Sequence, residues 1–228
     1  MTIPLFINCR DRLDTVVAMV EWAQRLPNVA VYLVDNASTF PPLLDYYRRT
    51  ATAVLFAGEN GGPRTPWRFI RERLNGQQFY VVTDCDLDMT SVPTDVVQVC
   101  SQALLDCPTL VKVGCALSLD GLPADHIARS RESEYWADDK RHDIAIDGRA
   151  IPAYDSLIDT TFAVYDTTRP LGGFYGPALR LAGDYTCRHR PWHYSVDRLP
   201  VDERYYLDHL DPAGIFYSNL LKAESEER

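Results

Sequence analysis

Residues 79–89 read FYVVTDCDLDM, an aromatic and aliphatic run that ends in Asp84, Asp86 and Asp88, three carboxylates at alternate positions. If the pleat of the apolar run continues, all three point to one face. Like charges held that close raise one another's pKa, so a counter-charge is expected beside them. A solvated acidic loop is the plainest reading. A calcium loop of the EF-hand type would use Asp84, Asp86 and Asp88, with Asp95 at the twelfth position. However, Met89 stands where that loop needs glycine, and a strand precedes it. A phosphatase D-x-D-x-[TV] motif fails at Asp88, which occupies the Thr/Val position. The remaining reading is a D-x-D element that holds Mg²⁺ or Mn²⁺ against a nucleotide diphosphate. Such hard cations take carboxylate and phosphate oxygens together.

Upstream, the pattern alternates. Strand-like IPLFIN (3–8), AVYLVD (30–35), AVLFA (53–57) and FYVVT (79–83) are separated by helix-like RLDTVVAMVEWAQRL (12–26), LLDYYRRT after Pro41-Pro42, and residues 67–74. Residues 93–106 predict a further helix. Strands alternating with helices over the first ~115 residues predict an α/β fold with a mostly parallel sheet covered on both faces. Ligands of such sheets bind beyond the carboxyl ends of the strands. Asn8, Asp35, Asn60 and Asp84 fall at those ends. The second half is less regular. It predicts a strand over 110–119 bent at Gly114, a helix over 126–139, a hairpin turning at Asp147-Gly148, and a strand over 159–166. A histidine-bearing loop follows at RHRPWH. No repeat or linker divides the chain, so residues 1–228 read as one domain, with a nucleotide-binding half to about 115 and an acceptor half from about 116.

The 228 residues carry a formal net charge of -9 with 46% hydrophobic residues, a globular composition. That charge argues against nucleic acid as a partner, since no basic excess exists to displace counterions. There is no charged leader before an apolar run, and no stretch reaches the ~20 apolar residues of a bilayer span. A cytoplasmic location is expected, with peripheral membrane contact through the acceptor left open. The six scattered cysteines form no C-x-x-C pair and read as reduced thiols.

Several of these segments, in order, resemble glycosyltransferases of the GT-A fold, near the large family 2 group. PLFINCRDRLD is similar to that family's first strand with its N-x-R element (Asn8, Arg10), and VYLVDNAST to its VDN-S strand end. ENGGPRTPW resembles the Asn-Gly loop, and VVTDCDLD the D-x-D. IDTTFA and HRPWH look like elements of a subgroup. The resemblance implies a single GT-A, Rossmann-like domain that transfers a sugar, with inversion, from a UDP- or dTDP-sugar to a glycan or other hydroxyl-bearing acceptor. It implies Mn²⁺ or Mg²⁺ at Asp86, with Asp84 and His189 completing the site. It places Asn8, Arg10, Asp35, Asn60, Gly61, Arg64 and Asp84 around the nucleotide sugar. Asp159 becomes the general base, with Glu132 and Glu134 in reserve. Arg188 and Arg190 face the diphosphate or solvent. Asp35 also suits a DNAS turn, and Asp88 a loop cap. A sugar-1-phosphate nucleotidyltransferase and a non-catalytic nucleotide-sugar-binding protein remain as alternatives. The former calls for a Gly-rich loop after the first strand, where NCRDRLD has no glycine.

Overall fold

The computed structural model describes residues 2–169 and 176–210. The first strand, β1 (Ile3–Cys9), is apolar on both faces. Its alternation sends Leu5 and Ile7 into one core cluster and Phe6 into a second. α1 (Leu13–Ala23) covers the first cluster with Val16, Met19, Val20 and Trp22. β2 (Val29–Asp35) pairs parallel with β1. α2 (Pro41–Arg49), which opens on two prolines suited to a first helical turn, adds Leu43 and Tyr47 to that face. β3 (Ala53–Phe56) extends the sheet outward beside β2. α3 (Trp67–Arg73) lies on the opposite face, with Ile70 and Trp67 against Phe6, Tyr80 and Val82. β4 (Phe79–Asp84) then returns to the other side of β1. Strand order reverses between β1 and β4, and the carboxyl ends of these two strands are where such sheets form a ligand crevice.

The chain continues through β5 (Leu87–Asp88), α4 (Val96–Asp106), β6 (Lys112–Leu117), α5 (Ile127–Glu132), β7 (Arg141–Ile146), β8 (Arg149–Asp155), β9 (Ala163–Asp166), β10 (Ala178–His189) and α6 (Val201–Asp208). The sheet runs β3-β2-β1-β4-β9-β6-β10-β8-β7, and β5 pairs with β10. β9 is antiparallel to both β4 and β6, so the sheet is mixed, with its parallel half carrying the first four strands. The β7–β8 hairpin turns through Asp147 (φ 50°) and Gly148 (φ 72°), as the sequence predicts.

Three expectations change. The strand predicted over 159–166 begins only at Ala163, leaving residues 159–161 as a loop. The helix predicted over 126–139 stops at Glu132, where Glu132 and Tyr135 turn inward onto Arg180. Gly114 does not bend its strand. β6 passes straight through it, and a Cβ there would lie 2.1 Å from the Phe162 carbonyl oxygen and 2.9 Å from Ala163 Cα. The glycine admits the close approach of β9. All six cysteines are unbridged, and five are buried. Among the described residues no helix is long and apolar enough to cross a membrane.

Gly114→Ala is therefore expected to destabilise the fold by about 1–3 kcal/mol, because the obstructing atoms are backbone. Urea unfolding of the variant checks this, and an unchanged midpoint would contradict the tight β6–β9 approach.

Candidate functional site

At the reversal point the register places Asn8 beside Asp84 and Cys9 beside Asp35. Asn8 Nδ2 donates to Asp84 Oδ1 at 3.4 Å. The Asp84 backbone N–H donates to the Thr160 carbonyl at 3.1 Å, drawing the loop that carries Asp159 against the end of β4. Asp84 is pushed up to about 7, first by burial and then by the charge of Asp86, with Asp159 adding to it. Beyond Asp84 the pleat breaks. Cys85 N–H bonds to the Asn8 carbonyl, and the chain folds back to pair β5 with β10. The three aspartates therefore do not share one strand face. Asp88 accepts from the Thr90 backbone N–H (3.1 Å) and hydroxyl (2.6 Å), the loop cap considered for it.

Asp86 is the electrostatic centre. Its Oδ2 lies 3.2 Å from Arg12 Nη1 and 3.5 Å from His189 Nε2. Burial alone would raise the Asp86 carboxyl, but His189 and Arg12 hold it well below the ordinary range. In turn, the Asp86 charge lifts His189 above its usual value against the effect of burial. Trp192 lies against the His189 ring, 4.8 Å between centroids. Arg190 N–H donates to the Asp86 carbonyl, locking the β5–β10 junction.

The sequence reading missed Arg12 and its second partner. Arg12 Nε and Nη2 make a two-pronged contact with Glu203 at 2.5 and 2.8 Å, and its guanidinium lies 3.7 Å from the centre of the Tyr206 ring. Asp202, next to Glu203, accepts from the Asp14 backbone N–H in the first turn of α1. Arg10 Nη2 reaches the His209 carbonyl at 3.2 Å. α6 is thus fastened to the segment between β1 and α1 by three polar contacts across about 190 residues of sequence. No local pattern announces such a pairing.

The other candidates fall in two groups. Asp35 is buried and accepts from Ser38 N–H with both oxygens (3.3 Å), so the DNAS turn accounts for its contacts. Asn36 takes the adjoining loop: its Oδ1 accepts from Gly61 N–H and Thr65 Oγ1, both at 2.8 Å, and its Nδ2 donates to the Gly62 carbonyl. Gly61 is fixed there, since a Cβ would stand 2.7 Å from Thr65 Oγ1. Asn60 and Arg64 flank this turn and are exposed, on the β3 side of the crevice. Asp159 is exposed and, among the described residues, its carboxylate accepts only a long 3.4 Å contact from Thr161 N–H. Glu132 is instead buried against Arg180 Nη1 at 2.6 Å, and Glu134 is exposed. Neither matches the placement of Asp159 beside Asp84.

Two buried cations anchor the loop under Asp159. Lys112, fully buried on β6, donates to the Ile158 carbonyl, and its ammonium lies 5.4 Å from the centre of the Tyr165 ring. Arg180 Nε donates to the Leu157 carbonyl at 2.7 Å. A lysine inside the apolar run LVKVGCALSL was the visible signal for the first of these. Burial depresses Lys112 to about 8, partly offset by Asp159.

No three His, Cys, Asp or Glu side chains form a ready-made metal cluster among the described residues. The donor set nevertheless suits a hard cation that brings phosphate oxygens of its own. Asp86 Oδ1 and Asn8 Oδ1 are buried and accept no hydrogen bond among the described residues. Both are oxygens, with Asp84 and the His189 imidazole alongside.

No family model and no curated protein matches the sequence. Solved structures resemble the chain to different degrees. The mannosyltransferase PcManGT from Pyrobaculum calidifontis, solved in complex with GDP-Man and Mn²⁺, superposes with a TM-score of 0.53 at 16% identity, over 98% of this chain and 68% of that one. Glucosyl-3-phosphoglycerate synthase from Mycobacterium tuberculosis gives 0.48 at 14% identity, over 72% of this chain and 56% of that one. The 4-diphosphocytidyl-2C-methyl-D-erythritolsynthase of Anaerococcus prevotii gives 0.41 at 8% identity, over 99% and 82%. The first of these shows the fold: the chain has the GT-A architecture.

Two outcomes follow from the buried charges. Glu203→Ala strands Arg12 in the interior with Asp86 as its sole carboxylate partner, and is expected to cost about 3–5 kcal/mol in urea unfolding. A loss under 1 kcal/mol would contradict the anchoring of α6. For Lys112 the folded pKa of about 8 lies below its ordinary 10.5, so the unfolded chain binds more protons between those values. The unfolding free energy of the native protein relative to Lys112→Met should therefore rise as pH increases from about 8 to 10.5. A flat difference would contradict the burial of this ammonium.

Proposed function

We propose that the protein is a glycosyltransferase that moves a sugar from a nucleotide-diphosphate donor, a UDP- or dTDP-sugar, to an acceptor hydroxyl with inversion. The observation that carries the reading is the meeting of Asp84, Asp86 and His189 with the Asp159 loop at the β1–β4 reversal. The shared architecture with a nucleotide-sugar enzyme supports it.

In this reading Asp86, with Asp84 and His189, holds Mn²⁺ or Mg²⁺. When bound, the ion acts as a Lewis acid for the charge developing on the departing diphosphate. Arg12 keeps Asp86 ionised and oriented through one carboxylate oxygen, leaving Oδ1 for the ligand. Asn8, Arg10, Asp35, Asn60, Gly61 and Arg64 border the nucleotide, with Asn36 fixing the Asn-Gly loop. Asp159, exposed beside the end of β4, takes the acceptor hydroxyl proton as that oxygen attacks the anomeric carbon. The new carbon–oxygen bond forms opposite the breaking bond to the diphosphate, and the proton remains on Asp159. Between β1 and α1 stand Arg10, Asp11 and Arg12, without the glycines that the nucleotidyltransferase alternative requires.

Asp159→Asn is expected to leave donor affinity nearly intact and to lower turnover ~10²-fold or more. EDTA should abolish transfer, and added Mn²⁺ should restore it. Steady-state kinetics with UDP-sugars decide both points. Full activity in EDTA would remove the metal, and unchanged turnover in Asp159→Asn would remove the base.

A further inference from the structure

A cavity of about 520 Å³ opens beside the β5–β10 junction, within the ~300–1,000 Å³ usual for small-molecule sites. Ser91, Ser118, Asp120, Trp136, Thr186 and Arg188 line it. Apart from Ser91 it is built on the second half of the chain, and it has no part in the contacts described above for Asp84, Asp86 and Asp159. Arg188 points into it rather than toward the diphosphate side, because strand alternation sets it opposite His189.

We propose that this cavity is the acceptor subsite and that it takes an uncharged, hydroxyl-rich ligand, a neutral saccharide; this rests on the transferase reading above. Its chemistry is balanced. One carboxylate (Asp120) and one guanidinium (Arg188) line it, and neither makes an ion pair within 4 Å among the described residues; Asp88, opposite Arg188 across the β5–β10 pair, is not part of the lining. A ligand with net charge of either sign would be opposed by one of them, whereas sugar hydroxyls donate to Asp120 and accept from Arg188. Ser91, Ser118 and Thr186 add hydroxyls that do both. Trp136 contributes an indole with a buried Nε1–H that has no hydrogen-bond partner among the described residues. Such a donor gains from a ligand oxygen, and the ring offers an apolar face of the kind that packs against a pyranose.

The cavity also shares a wall with the reacting edge. The segment carrying Trp136 is tied to the Asp159 loop at two places. Ser156 Oγ donates to the Tyr135 carbonyl at 3.0 Å, and Arg180 joins Glu132 (2.6 Å) to the Leu157 carbonyl (2.7 Å). A saccharide held by Asp120, Trp136 and Arg188 is thereby registered against the loop that presents Asp159.

Saturation-transfer NMR with the methyl glycosides of glucose, galactose and mannose, alongside the matching uronic acids, tests this directly on the full chain. At least one neutral glycoside is expected to bind in preference to its uronate. Asp120→Ala and Arg188→Ala, both at exposed positions where folding is safe, should each weaken that binding about 10-fold. Binding of no neutral glycoside, preference for a uronate, or binding unchanged from the native protein in both variants overturns the proposal. Transfer from UDP-sugars is followed in the same samples. Glycoside binding that depends on Asp120 but without any transfer supports the cavity while removing the transferase reading. Transfer with an acceptor KM unchanged in both variants overturns the cavity and leaves that reading standing.

Discussion

The guanidinium of Arg12 lies between two buried carboxylates, Asp86 of the crevice and Glu203 of α6. Remove the arginine and Asp86 loses one of the two side chains that hold it ionised, while Glu203 is left charged in the interior. An isolated buried charge of that kind is strongly unfavourable, so the segment after β1, the D-x-D segment and α6 are set in place together. The α1 end of the arrangement is fastened again by Asp202 at its first turn. What makes the interior costly to disrupt is also what fixes the Asp86 carboxylate, whose Oδ1 has no hydrogen-bond partner among the described residues.

The charges around this centre are graded. Asp86 is held ionised by Arg12 and His189, whereas Asp84, two residues earlier, is pushed up to about 7 by burial and by that same Asp86. Asp159 is exposed at the end of a loop whose carbonyls are gripped from beneath by Lys112 and Arg180. Three carboxylates with three different surroundings give one edge of the sheet three different chemical capacities.

The first half of the fold was legible because its strands are short apolar runs, β1 and β4 buried on both faces, and the helices between them turn apolar residues to the sheet. Those are local periodicities, and they placed Asn8, Asp35 and Asp84 at strand ends correctly. The expectation of a common face for Asp84, Asp86 and Asp88 failed because pairing with β10, a hundred residues away, overrides the local pleat. The strand over 159–166 was read too long because the register that sets Ala163 opposite Val82 would set Thr161 opposite Asp84, whereas the Asp84 N–H bonds to the Thr160 carbonyl, one residue out of step. Arg12 with Glu203, and Arg180 with Glu132, are long-range ion pairs that leave no periodic trace. Lys112 was visible as a charge within an apolar run. Its meaning, a peg beneath the Asp159 loop, needed the fold.

The account turns on one location, the space beside Asp86 Oδ1 at the end of β4. A crystal of the protein soaked with MnCl₂ and UDP, measured for anomalous scattering at the manganese edge, examines it most directly. A peak bridging Asp86 and the UDP phosphates, with His189 or Asp84 in the coordination sphere, is the predicted result. Manganese bound elsewhere, or UDP seated away from the β1–β4 crevice, would contradict the account.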